Sequence, residues 1–242
     1  MLTDYSLLIT PGTVAAEAID RNPRLLLMFE HLEIPLGLQD KTIAQVCQET
    51  GIDANLFLII ARLFNGIHPN LMQLEALNGD IPLIIRYLEN SHRNYITEKF
   101  PLLTILINDI CKVNIHPEVE LLKRFLDDYL DEVAEHLKYE NTVVFPYVLA
   151  LSGNKLPAAG MALEEYSMSE YRRHHDDIEE KLADLKNLLI KYLPAHNDIH
   201  FRRKLLLSLD ELEFDLHIHS LIEENVLIPI VENFEKNNQP KS

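Results

Sequence analysis

One eleven-residue pattern occurs twice in this chain, and it restricts the fold more than any other feature. The first copy is His136-Leu-Lys-Tyr-Glu140-Asn-Thr-Val143-Val-Phe-Pro146 and the second is His219-Ser-Leu-Ile-Glu223-Glu-Asn-Val226-Leu-Ile-Pro229. Both read H-x-x-x-E-x-x-V-x-x-P. On an α-helix, residues four apart share a face with an offset of about 40°, so each His and Glu can grip the same ion. A single H-x-x-x-E is commonplace on solvated helices. Two copies with the same downstream Val and Pro predict two helices that carry metal ligands into a common helical core.

The rest of the chain fits that frame. Glycine is scarce, with seven in 242 residues, and apolar residues recur at three- and four-residue steps, the period of an all-α protein. The expected fold is an up-down-up-down four-helix bundle over residues 80–236, preceded by a small helical domain over residues 1–66. Turn-forming residues between 66 and 80 make the link. Pro11, Pro23 and Pro35 punctuate short helices in the first part. Asp40 is the expected N-cap of a helix over residues 41–50, Gly51 its end, and Asp53 the cap of the next. Two short helices near a glycine could form a helix-turn-helix, but Lys41 and Arg62 are the only basic residues between 41 and 66. A small packing domain is the better reading. The first long helix should run from Asp80 to about Lys112, with Pro82 in its first turn. The second should start near Pro117 and kink or end at Pro146. The third should cover about 162–192, and the fourth should start near Asn197 or Asp198 and pass just beyond Pro229.

Charge and composition exclude several classes. The formal net charge is −16, so phosphate backbones are repelled and nucleic acid is a poor partner. No apolar run approaches the roughly 20 residues a membrane-spanning helix needs. No basic segment followed by an apolar one opens the chain. The two cysteines, Cys47 and Cys111, are far apart, which fits a reducing cytoplasm and rules out a cysteine-rich zinc site.

A bundle site should also draw ligands from the first and third long helices. His92 shares a helical face with Leu88, Tyr95, Ile96 and Leu103 and should point inward. His175 lies with Tyr171, Ile178, Leu182 and Leu189, whereas His174 keeps company with Glu170, Asp177 and Lys181. On the fourth helix, His219 lies with Leu212, Leu216, Ile222 and Val226, and His217 with Glu213 and Glu224. The expected ligand set is therefore His92, His136, Glu140, His175, His219 and Glu223. Two buried carboxylates without a cation would be costly. Imidazole and carboxylate without thiolate suit iron, manganese or zinc, and a dinuclear bundle site favours iron or manganese. Glu140 and Glu223 should bridge the two ions together with a solvent-derived oxygen, leaving positions open to O2, NO or peroxide. Glu132, one turn before His136, and Tyr171, one turn before His175, are candidates to back the ligands.

These residues resemble the hemerythrin-like, HHE cation-binding superfamily, and within it the di-iron proteins of iron–sulfur cluster repair. His92, His136 with Glu140, His175 followed by Asp176, and His219 with Glu223-x-Asn225-Val226-x-x-Pro229 fall where that family has four histidine and two glutamate ligands. The first part is similar too, through Phe29-Glu-His-Leu-Glu-Ile34 and Thr42-Ile-Ala-Gln-Val-Cys47-x-x-x-Gly51-Ile-Asp53. It departs where the family usually carries adjacent cysteines: here the chain reads Pro35-Leu36-Gly37-Leu38. The family's acidic residue before the third-helix ligand is here His174. The resemblance implies a cytoplasmic, non-haem di-iron protein of the stress response that binds or reacts with O2 or NO, or supplies iron to damaged iron–sulfur proteins. The competing reading is a metal-dependent sensing or protein-interaction module without catalysis. The subunit number is open, a homodimer being one arrangement.

Overall fold

The structure, a computed structural model, describes residues 9–70, 74, 77, 80–153 and 176–238. Regular structure in these residues is helical apart from one bridge between Val14 and Thr42. Four short helices come first: α1 (Ala15–Arg21), α2 (Leu25–His31), α3 (Ile43–Thr50) and α4 (Ala54–Leu63). The cap of α3 is Thr42, not Asp40. Its hydroxyl accepts the Gln45 N–H while Gln45 Oε1 accepts the Thr42 N–H at 2.9 Å. This reciprocal pair satisfies two amides at once and contributes about 1 kcal/mol, which a lone carboxylate two residues earlier does not match. Gly51 ends α3 in the left-handed region at φ 69°. Asp53 caps α4 as expected, accepting from the N–H groups of Asn55 and Leu56.

Four long helices follow, each containing one widened π-turn. Helix A joins α5 (Ile81–Asn94), π1 (Tyr95–Lys99) and α6 (Phe100–Val113). Helix B joins α7 (Pro117–Tyr139), π2 (Glu140–Val144) and α8 (Phe145–Leu151). Helix C joins α9 (Asp176–Asn187) and π3 (Leu188–Tyr192), and helix D joins α10 (Ile199–Ile222), π4 (Glu223–Leu227) and α11 (Ile228–Asn238). The fold is all-α, an up-down-up-down bundle preceded by short helices, as the periodicity predicts. Of the two outcomes expected at Pro146, a kink or an end, helix B does not end: it runs on to Leu151, because π2 absorbs the missing N–H, the Phe145 amide bonding the Glu140 carbonyl five residues back. One expectation needs correcting. Ile96 is not on the inward face. Its side chain is 43% exposed while Tyr95 is fully buried, since the wider turn starting at Tyr95 swings the next residue outward.

The described residues fall into two compact units, one of residues 9–90, 146–153 and 218–238 and the other of residues 91–145 and 176–217. In the first, Phe29 meets Phe57 edge-on at 5.7 Å, and Asn90 Nδ2 donates to the carbonyl of His31 at 2.8 Å. The second holds a core that includes Leu103, Ile107, Leu126, Tyr129, Leu182 and Leu209. At one end of that core, Asn114 Nδ2 donates to Asp198 Oδ2 at 2.9 Å. Arg202 donates to the same carboxylate and to the carbonyl of Pro194. No described helix is long and apolar enough to cross a membrane.

Candidate metal centre

Three of the expected ligands lie in the second unit. Helix A brings His92, and α7 brings His136 in its last turn, one turn ahead of Glu140. The two carboxylate oxygens of Glu140 are divided between the histidines: Oε1 is 2.9 Å from His136 Nε2 and Oε2 is 3.2 Å from His92 Nε2. Glu140 is completely buried and His92 nearly so, while His136 keeps an edge toward solvent. Burial pushes the Glu140 carboxyl upward, but the paired imidazoles outweigh it and hold the group well below the usual carboxylate range.

The second nitrogen of His92 fixes what the first can do. His92 Nδ1 lies 2.9 Å from Asn141 Oδ1, and an amide oxygen only accepts, so Nδ1 carries the hydrogen. A neutral His92 then turns the lone pair of Nε2 toward a carboxylate oxygen. Two acceptors at that distance need a positive charge between them, either a proton or a metal ion. Phe145 stacks on the His92 ring, with centroids 5.5 Å apart and planes 19° from parallel. Asn141 escaped the sequence reading. Its one signal was a second polar residue directly after Glu140, an expected ligand.

In the first unit the second copy of the pattern has the same form. His219 Nε2 is 3.4 Å from Glu223 Oε1, and both side chains are buried. His217 is exposed, so the helical phase separates the two histidines as expected. Asp215, one turn before His219, is also buried. It too was missed, although it sits on the same i, i+4 stripe.

The remaining candidates fare differently. Glu132 does not back His136: it gives both carboxylate oxygens to Lys181 at 2.6 and 2.7 Å on the surface. His175 and Tyr171, with the rejected His174, lie outside the described residues. Within the second unit, His92 and Glu140 bring imidazole and carboxylate together in a buried pair of the kind that could hold a metal ion. No thiolate competes in that donor set. Cys47 is buried in the short-helix region, and burial, aided by the charge of Asp53, pushes its pKa up to about 11. Imidazole and carboxylate donors without sulfur fit iron, manganese or zinc.

No family model matches the chain, but curated relatives do. It is 28% identical over 155 residues to the iron-sulfur cluster repair protein YtfE of Musicola paradisiaca, covering 63% of this chain and 64% of that protein. It is 24% identical over 150 residues to the iron-sulfur cluster repair protein ScdA of Staphylococcus haemolyticus, covering 61% and 66%. The ScdA protein of Staphylococcus epidermidis is 21% identical over 231 residues, covering 91% of this chain and 98% of the relative. The chain is similar to the iron–sulfur cluster repair proteins. Its matches span just under two thirds of the first two of these repair proteins and nearly all of the third. The resemblance drawn from the ligand spacing thus has its counterpart in whole-sequence similarity.

Proposed function

We propose that this chain is a non-haem di-metal protein of the iron–sulfur cluster repair type, acting under nitrosative or oxidative stress. The ions are two iron ions, with manganese or zinc as substitutes, held by His92, His136, Glu140, His175, His219 and Glu223. The observation that carries the reading is Glu140: a fully buried carboxylate with each oxygen against a different imidazole nitrogen. A carboxylate so divided is disposed to bridge two cations, and Glu223 repeats its relation to histidine in the second copy of the pattern.

Bound iron would supply a redox-active, Lewis-acidic centre able to take a diatomic ligand such as O2 or NO. The protein's part is positioning and exclusion. Asn141 holds the His92 tautomer and Phe145 holds the plane of that ring, while Glu140 itself is completely buried. Burial of this kind strengthens the hold of charged ligands on a cation. The similarity to iron–sulfur cluster repair proteins supports the same reading. With Pro35-Leu36-Gly37-Leu38 in place of adjacent cysteines, the chemistry rests on the histidines and glutamates alone.

Anaerobic purification followed by metal analysis and Fe(II) titration tests the proposal. Two ions per chain are expected, with an optical change on exposure to O2 or NO. A chain that takes up no metal, or whose uptake is unaffected by Glu140→Ala, would overturn it.

A further inference from the structure

The π-turns follow one rule that the ligand spacing does not require. Each begins six residues before a proline: Tyr95 before Pro101, Glu140 before Pro146, Leu188 before Pro194 and Glu223 before Pro229. In each, the residue just ahead of the proline sends its N–H five residues back, to the carbonyl of the residue that opens the turn. The reason is steric. A proline inside an α-helix lacks its own N–H and drives its ring against the carbonyl four residues behind. Widening the turn moves that carbonyl away and lets the helix restart with proline near the head of a new α segment, where no N–H is needed.

Three of the four turns carry a further device. The residue four before the proline is Thr97, Thr142 or Asn225, and each donates its side chain to a carbonyl four residues further back. Thr97 donates to Arg93 at 2.8 Å, Thr142 to Lys138 at 2.8 Å, and Asn225 to Leu221 at 3.1 Å. Helices A, B and D all continue beyond their prolines. In helix C the corresponding residue is Ile190, which has no donor, and that helix stops at its turn.

In both H-x-x-x-E copies the residue that opens the turn is the ligand glutamate itself. In helix B one residue joins both sides of the site: the Phe145 N–H holds the main chain of Glu140, and the Phe145 ring stacks on His92. The geometry points to Phe145 and Pro146 as positioning residues of the metal centre, with Thr142 supporting the same turn and Pro229 doing in helix D what Pro146 does in helix B. The proline forces the π register, and the π register, closed by Phe145, sets where the Glu140 carboxylate and the His92 ring sit relative to one another. This rests on the metal-site reading above.

The test compares Phe145→Leu, Pro146→Ala and Thr142→Val with Pro194→Ala, whose π-turn carries no expected ligand. Each is titrated anaerobically with Fe(II), and with Co(II) alone as a spectroscopic probe of coordination geometry, while the melting temperature is followed in parallel. Phe145→Leu and Pro146→Ala should weaken Fe(II) binding about 10- to 100-fold and shift the Co(II) visible bands, and Thr142→Val should do so to a smaller degree. Pro194→Ala should leave affinity and bands as in the wild type, whatever it does to the melting temperature. Should Pro146→Ala not fold, Phe145→Leu decides the matter. Unchanged affinity and bands in Phe145→Leu, or an equal loss in Pro194→Ala, would overturn the positioning role while leaving the metal site standing. A wild-type chain that binds neither ion would instead remove the metal site and the inference together.

Discussion

Asn114 and Asp198 are 84 residues apart in sequence, yet their side chains meet at 2.9 Å in a buried contact. Arg202 closes on the same carboxylate from one turn along helix D. Burial pushes the Asp198 carboxyl upward, but the Arg202 and Asn114 hydrogen bonds overcome this and leave its pKa lowered. A lowered carboxylate contributes stability that is complete above the ordinary aspartate value, about 3.9, and is lost as the pH falls through the folded value. Asp198→Ala should therefore destabilise the protein by about 3–5 kcal/mol at neutral pH, the usual result of stranding a buried partner charge. The gap between variant and wild type should shrink under acid. Urea denaturation at pH 7 and at pH 3 measures both, and a gap that does not change with pH would show that the carboxylate's charge is not what stabilises.

The contact between His92 Nδ1 and Asn141 predicts a loss of function without a loss of fold. In Asn141→Leu the imidazole is free to change tautomer, and metal affinity should fall by about tenfold or more. Isothermal titration with Fe(II) under nitrogen reads the change. Asn141→Asp retains an acceptor and should recover most of the affinity.

Metal binding should also register as stability. Ions that bind the folded chain far better than the unfolded one raise the melting temperature, by an amount that grows with the logarithm of the free ion concentration above Kd. Chelation is expected to lower the transition by several degrees while the helical circular dichroism persists. Glu140→Ala and Glu223→Ala should abolish most of that metal-dependent increment, and His217→Ala, at an exposed position, should retain it. An apo protein that melts with the holo form would contradict the coupling.

Cys47 should be chemically quiet. With its pKa near 11, roughly one thiol in a thousand is ionised at pH 8. Alkylation of the native protein at that pH should label Cys111 well before Cys47, with Cys47 reacting on unfolding. Cys47→Ala should leave iron loading and gas reactivity unchanged. If that substitution abolishes either, the lone thiol takes part in the chemistry.

Much of this architecture could be read directly from residue order. The three- and four-residue apolar steps predict helices A to D, and phase alone puts His219 inside and His217 outside. Local rules served equally well at Gly51 and Asp53, where one residue's backbone or side chain decides the outcome. They failed where two requirements compete. Thr42 takes the cap from Asp40 because Gln45, three residues on, completes the pair. Pro146 reads as a kink or an end because a proline N–H is missing, and nothing local says that a wider turn carries the helix through it. Ile96 turned outward for the same reason. Asn141 lay beyond reach because its partner, His92, is 49 residues distant, and a contact of that span exists only after the helices pack.

A π-turn is in effect a single residue inserted into an α-helix. Deleting one codon within π2 would take out the extra residue and let helix B close as a regular α-helix, yet it would drive the Pro146 ring against the carbonyl then four residues behind it. In helices A, B and D, chain length through the turn is therefore as constrained as residue identity. Single-residue deletions there should be tolerated far less well than substitutions at the same positions.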